Sequence, residues 1–404
     1  MYLFSPISIA YCQNFIKVNH LLYFCGNIAC IKQYYIKHPE EMELKASLEN
    51  RNLIRWEISK NCNFKCNYCG AIHDKDARQV LKPIDTAKLS DSLDCLPGEW
   101  LIDITGGEPF LEKNFIEISE IITKKHYLSL NTNLSTNNVI EFADKINPEK
   151  CSYINASIHI LEREKRDKDL KAFIDRMVYF QEKGFRITAV YVTYPELFSR
   201  IKADISFLKE HGINRVRNII FRGWYQDVWY PDAFNENEKE FLKTMETESM
   251  EFEVLEKAFD YHGKICRAGQ KFLVMDRNGD LRRCSTAVKS YGNFFDKTFT
   301  FDENPKPCPV FTSDCPHECI EYNLGKKANA ISISKEEYFE KLAKSEIHDV
   351  QNKRFPVFSE VLIIIKKIIV KTSSLITRKF WQLIGSMEKA GIPLNKIKKI
   401  FKSK

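Results

Sequence analysis

Six short apolar runs, at residues 53–58, 101–105, 127–131, 153–158, 186–192 and 216–221, alternate with amphipathic helical patterns. The runs are rich in β-branched and aromatic residues, as buried strands are. The helical patterns lie at 85–96, 114–124, 137–146, 168–183 and 201–211, with another at 236–249 after the last run. Strands and helices that alternate through short links predict a parallel sheet with helices outside and right-handed crossovers. Six units fall short of a closed eight-stranded barrel. The expected fold is therefore α/β, a partial TIM-like (β/α)6 barrel whose chemistry collects at the C-terminal ends of its strands.

After residue 261 the grammar changes. Apolar runs at 272–275 and 281–283 flank Asp276-Arg277-Asn278-Gly279, and Asn-Gly between such runs is a hairpin signal. Pro and Cys then crowd 305–316, giving a small, loop-rich unit with little core of its own, the kind that depends on a metal site. The expected organisation is an N-terminal extension over 1–50 with no assigned role, a barrel over 51–250, a small Cys-rich domain over 260–325 and a basic helical tail over 326–404.

Charge is unevenly placed. The formal charge of the 404-residue chain is +7, yet residues 356–404 alone carry +9, leaving −2 on residues 1–355. The body has no basic footprint for nucleic acid, and none is expected as a partner. The tail interleaves apolar residues with Lys and Arg, a pattern for an anionic membrane surface, for a partner protein, or for a helix packed on the barrel with a solvated basic face. No run reaches 18 apolar residues, so no transmembrane helix is expected. Residues 1–30 lack a basic segment ahead of a continuous apolar run, so no export signal is read there. The expected compartment is the cytoplasm, or the inner face of the membrane through the tail.

The chain has 13 cysteines, eight of them in two groups. Clustered cysteines in a large chain without an export signal read as metal ligands rather than a disulfide scaffold. Cys62, Cys66 and Cys69 form C-x3-C-x2-C just after the first strand. Three thiolates on one tight loop can hold three corners of a cubane iron–sulfur cluster and leave the fourth iron open; electron-transfer clusters ordinarily use four Cys. The alternative is a zinc site completed by a distant ligand such as His73. Gly106-Gly107-Glu108-Pro109 follows the second strand, where two glycines let the backbone approach a ligand and Pro109 fixes the turn.

With Tyr68 as the aromatic residue before the third Cys, the strand Ile54-Arg55-Trp56-Glu57-Ile58 and the Gly-Gly-Glu-Pro segment, residues 52–225 resemble the radical S-adenosylmethionine (radical SAM) superfamily. The resemblance implies that the open iron of a [4Fe-4S] cluster chelates S-adenosylmethionine, and that one electron cleaves it to methionine and a 5′-deoxyadenosyl radical. That radical then takes a hydrogen from substrate. It further implies that Gly106, Gly107, Glu108 and Pro109 receive the methionine amino group, and that Tyr68 lies beside the cofactor. Asn131, Asn133 and Ser157 sit at strand ends where family members contact the carboxylate or ribose. Local turn bonds are the other reading of the asparagines. His159 and Arg222 also lie at strand ends facing the expected mouth. An electron donor such as a flavodoxin or ferredoxin is implied as a partner.

The second group begins with Cys266 and Cys284 in C-x12-G-x4-C, followed by Cys308, Cys315 and Cys319. It resembles the auxiliary-cluster region called SPASM or twitch, and with five candidates it is nearer the one-cluster twitch type. The implied ligands of a second [4Fe-4S] cluster are Cys266, Cys284, Cys315 and Cys319, with Cys308 spare or an alternative. Zinc bound by four cysteines is the competing reading. Cys12, Cys25, Cys30, Cys95 and Cys151 read as buried or incidental thiols.

The expected function is thus a radical SAM enzyme acting on an unidentified peptide, sugar or small metabolite with an auxiliary cluster assisting. The competing readings are a zinc-stabilised binding or adaptor protein and a non-catalytic iron–sulfur redox relay. A relay has no need of an open iron, which argues against it.

Overall fold

The computed structural model describes residues 51–69, 82–226, 228–245, 257–285, 287, 289–309 and 331–334. The extension over 1–50, His73, Cys315, Cys319 and nearly all of the tail lie outside the described residues.

Six strands and their helices follow one another as the alternation predicts. They are β1 (Asn52–Ser59), α1 (Thr86–Asp94), β2 (Trp100–Gly106), α2 (Phe115–Lys125), β3 (Tyr127–Thr132), α3 (Val139–Lys145), β4 (Cys151–Ser157), α4 (Ile160–Glu164), α5 (Asp169–Glu182), β5 (Ile187–Thr193), α6 (Ile201–Glu210) and β6 (Val216–Ile220). A small hairpin, β7 (Gly223–Tyr225) and β8 (Val228–Tyr230), and the helix α7 (Glu236–Lys243) come next. Strands β1 to β6 pair in sequence order and in parallel, giving the partial barrel.

The strand pleat sorts side chains between two cores. Ile54, Trp56 and Ile58 of β1 are buried in the larger cluster with Leu89 and Leu93 of α1, Phe115 and Ile122 of α2, and Phe173 and Phe180 of α5. This is the helix side of the sheet. Leu53 instead joins Leu101 in a second cluster, so the odd-numbered positions of β1 face the inside of the barrel.

The later strands are β9 (Lys257–Asp260), β10 (Ile265–Cys266), β11 (Phe272–Met275), β12 (Asp280–Arg282), β13 (Ser290–Asn293), β14 (Lys306–Pro307) and β15 (Ile331–Ser334). The Asn-Gly hairpin joins β11 to β12, but it does not hang apart. β11 runs parallel to β1, with Leu53 opposite Phe272 and Trp56 opposite Met275, so the sheet continues through β11, β12 and β13 to nine strands. Pairing removes the open edge of β1, which would otherwise be a template for association. The hairpin tip is fixed by Arg277, which donates to the Ile58 carbonyl at 2.9 Å and to the Glu112 carboxylate. The Cys-rich segment shares a core with the barrel as a result: Cys266, Cys284 and Cys308 are buried with Leu53, Leu101, Phe272 and Val274. No helix among the described residues is long and apolar enough to cross a membrane.

Candidate functional site

The loop carrying Cys62, Cys66 and Cys69 leaves β1 at Ser59, and the end of β2 braces its root. Gly107 donates to the Ser59 carbonyl at 2.6 Å and Glu108 to the Asn61 carbonyl at 2.7 Å. The approach demands glycine. A Cβ on Gly106 would stand 2.1 Å from the Ser59 oxygen, and one on Gly107 would stand 2.0 Å from that of Asn61. The two glycines therefore seat one strand end against the other, whatever they do for a ligand.

Glu108 is fully buried, and its carboxylate turns inward. One oxygen accepts Phe110 N–H at 3.1 Å and Thr132 Oγ1 at 2.7 Å; the other accepts Asn133 N–H at 2.6 Å. Burial lifts its pKa to about 6 against these donors. The sequence reading expects this side chain at the cofactor; in the structure its carboxylate fastens the end of β3 to that of β2. Pro109, also buried, opens the short 3-10 turn Pro109–Leu111 behind it.

That fastening reaches the cysteines through Asn133. Its side-chain amide donates to Asn63 Oδ1 at 3.0 Å and lies 3.9 Å from Cys62 Sγ. Cys62 Sγ also accepts Phe64 N–H at 3.4 Å, and Cys69 N–H closes the turn onto the Cys66 carbonyl at 3.0 Å.

The other side of the loop rests on α4, an element the sequence reading missed. Glu162 accepts Lys65 N–H at 3.1 Å, and Arg166 donates to the Asn63 carbonyl at 3.0 Å. The ring of Phe64 lies 4.2 Å from the Arg166 guanidinium and 5.1 Å from that of Arg163. Arg163 is fully buried and donates to the carbonyls of Ile158, at 2.6 Å, and Asn133, and to Asp169 Oδ1 at 2.8 Å. It thereby ties the ends of β3 and β4 under the loop. Its only sequence signal is its place just after a strand end.

Tyr68 points to the β4 and β5 ends. Its hydroxyl is 2.6 Å from His159 Nδ1, and its ring packs 4.8 Å from that of Tyr194 and 5.8 Å from that of Phe221. Burial, with Arg163 nearby, pushes the His159 pKa down to about 3, so the imidazole is neutral. Beside this group lies a cavity of about 290 Å³, lined among others by Cys66, Tyr68, His159, Tyr194, Glu196 and Leu197. Asn131 accepts from Asn155 at 3.0 Å across β3 and β4, and the Ser157 carbonyl lies 3.4 Å from Arg163.

The inner face carries a polar layer below the mouth. Buried Asp103 accepts Arg55 Nε at 3.0 Å, Ser129 Oγ at 2.7 Å and Tyr153 Oη at 3.0 Å, from residues in register on four adjacent strands.

One register level further down, Leu53, Leu101 and Tyr127 meet the second cysteine group. Cys266 ends β10 and Cys308 directly follows its partner strand β14, where Cys308 N–H reaches the Lys264 carbonyl at 2.7 Å. Cys284 follows β12. Cys266 Sγ accepts Ala268 N–H at 3.4 Å, and Cys284 Sγ accepts Ala287 N–H at 3.3 Å. The sequence reading has Cys308 as spare or as an alternative ligand; in the structure it is buried in one cluster with Cys266 and Cys284.

None of the described cysteines is in a disulfide. Among the described residues, no three His, Cys, Asp or Glu side chains converge on the position of one metal ion. Burial pushes the Cys66 thiol up to about 12 and the Cys266 thiol up to about 11, and raises that of Cys62. Each is a protonated thiol when bare, and metal coordination is what strips such a proton. The donor set fits iron–sulfur ligation: thiols in mutual electrostatic reach, three of them accepting backbone N–H, the kind of bond that tunes cluster sulfur.

Residues 56–208 match the family model described as Radical SAM superfamily. A GTP 3′,8-cyclase of Actinobacillus succinogenes is 38% identical over 72 residues, which is 17% of this chain and 21% of that protein. An Fe-coproporphyrin III synthase of Methanosarcina barkeri is 25% identical over 182 residues, 43% of this chain and 45% of that one. The chain thus spans about a fifth of the first relative and under half of the second. Among solved structures, one described as "Native anSMEcpe with bound AdoMet" is 18% identical with a TM-score of 0.44, covering 62% of this chain and 81% of its own.

Proposed function

From the premise that this chain, through residues 56–208, belongs to the radical SAM superfamily, we propose that it binds a [4Fe-4S] cluster on Cys62, Cys66 and Cys69 and uses S-adenosylmethionine to take a hydrogen from a polar substrate. The observation that carries this reading is the bracing of the three-cysteine loop from both sides, by Asn133 and by α4, beside a cavity of about 290 Å³. A cluster held there supplies the electron that cleaves S-adenosylmethionine to methionine and a 5′-deoxyadenosyl radical.

The chain's own part is positioning and exclusion of water. Tyr68, Tyr194 and Leu197 give the cavity an apolar wall for the adenosyl group, and Glu196 and neutral His159 give it polar edges. Phe64, whose ring lies 4.2 Å from the Arg166 guanidinium and 5.1 Å from that of Arg163, helps to anchor the loop there. The substrate is read as polar because the inner face below the mouth presents Arg55, Asp103 and Tyr153 rather than an apolar floor. A second centre on Cys266, Cys284 and Cys308 belongs to the same reading, with Cys315 or Cys319 available to complete it.

The test is anaerobic reconstitution followed by incubation with S-adenosylmethionine and dithionite. The expected result is 5′-deoxyadenosine from the unaltered chain and none when Cys62, Cys66 and Cys69 are all replaced by Ala. Zinc in place of iron, or product from the triple variant, overturns the assignment.

A further inference from the structure

The second cysteine group contains a buried positive charge. Arg283, next to Cys284 in the chain, is 6% exposed. Its three side-chain nitrogens donate to the carbonyls of Ala268 at 3.0 Å, Pro307 at 2.9 Å and Lys306 at 2.9 Å. These carbonyls belong to the two segments that carry Cys266 and Cys308, so one guanidinium spans all three cysteines. The charge is also close enough to act on the Cys266 thiol.

Among the described residues no carboxylate is bonded to it. Asp302, whose backbone N–H meets the Gly269 carbonyl at 2.8 Å, is taken by Tyr291 Oη at 2.6 Å and Lys306 Nζ at 2.5 Å. A full charge out of water with only neutral partners is costly unless an opposite charge lies close by. Neutral thiols do not supply one. Thiolates on a metal do, because a cluster or ion with several cysteine ligands is a net anion. Net charge is in turn one of the levers that fix a cluster's reduction potential.

We propose that Arg283 is the built-in counter-charge of an anionic metal–thiolate centre on Cys266, Cys284 and Cys308, and that it raises that centre's reduction potential. Arg283 acts through the ligands and is a positioning residue. The inference rests on the reading that a second cluster exists, and the experiment separates the two.

The protein for the test is the full chain with Cys62, Cys66 and Cys69 replaced by Ala, so that only the second group loads. Iron and sulfide per chain are measured after reconstitution, and the midpoint potential is read by a redox titration followed by electron paramagnetic resonance. Three forms are compared: Arg283, Arg283→Lys and Arg283→Gln. The expected result is iron in all three, a midpoint shifted to more negative potential in the Gln form, and a Lys form close to the Arg form. Equal potentials in all three overturn the counter-charge. So does equal loss of iron from the Lys and Gln forms, which would leave only the bracing of three carbonyls. Absence of iron from the Arg283 form itself would overturn the second centre, and this inference with it.

Discussion

The Glu108 carboxylate accepts the backbone N–H of Asn133 at 2.6 Å, and the Asn133 side chain in turn reaches Asn63 and Cys62. A carboxylate just past β2 thus sets the cysteine loop through the end of β3. Glu108→Gln keeps the shape but turns an amide N–H₂ or a lone oxygen toward three donors, leaving at least one buried donor unsatisfied. That costs about 1–3 kcal/mol. The expected outcome is a lower urea midpoint together with reduced iron at the first site. Unchanged iron and stability would remove Glu108 from this role.

The same carboxyl gives a pH signature. Its ordinary pKa of 4.5 rises to about 6 in the fold because burial disfavours the charge. The folded chain therefore holds this proton more tightly than the unfolded chain. The stabilisation is full below pH 4.5 and is lost as pH rises through about 6, amounting to about 2 kcal/mol. Glu108→Gln cannot titrate there. The difference in unfolding free energy between the two proteins should move against the unaltered chain across this window. A difference independent of pH would show that Glu108 is not buried as a lone acid.

The barrel was readable because strands buried on their helix side leave short, mostly apolar runs rich in β-branched and aromatic residues; β1 to β6 fall within two residues of those runs. The first cysteine loop was readable because its three residues are local. α4 was not: five residues are too few to show a helical period, and Glu162-Arg163-Glu164-Lys165-Arg166 looks like a solvated charged face. The structure buries Glu162 and Arg163, an outcome of tertiary placement. Nor could spacing place Cys308 with Cys266, because that depends on the two-residue pairing of β10 with β14. The docking of the hairpin on β1 has no local signal either, since an edge accepts any strand of matching length.

Arg163 offers a sharper test of the loop's support. It is fully buried, with Asp169 as its charged partner and the carbonyls of Ile158 and Asn133 as the others. Arg163→Met removes the cation, leaving the two carbonyls without their donor and Asp169 with only the looser 4.0 Å pair to Arg166, a loss of about 3 kcal/mol. Chemical denaturation should show it, and replacing Asp169 with Asn in the Arg163→Met chain should recover part of it. No recovery would mean that the Asp169 charge was not the stranded group.

Gly107→Ala separates the two cysteine groups. The new Cβ would fall 2.0 Å from the Asn61 carbonyl oxygen, a backbone atom that cannot rotate away. The strand ends must part, breaking the 2.7 Å bond from Glu108 N–H to Asn61 and displacing Cys62, the next residue. Overpacking of this kind costs about 3 kcal/mol. The clash lies at the C-terminal mouth of β1, whereas the second group packs at Leu53, near the strand's start. On the two-cluster reading proposed above, iron should therefore fall from about eight per chain, two cubanes, toward about four, with the remainder on Cys266, Cys284 and Cys308. Iron analysis after reconstitution decides it: full loading would show that the strand ends yield to the methyl group, and loss of all iron would show that the two groups are one cooperative unit.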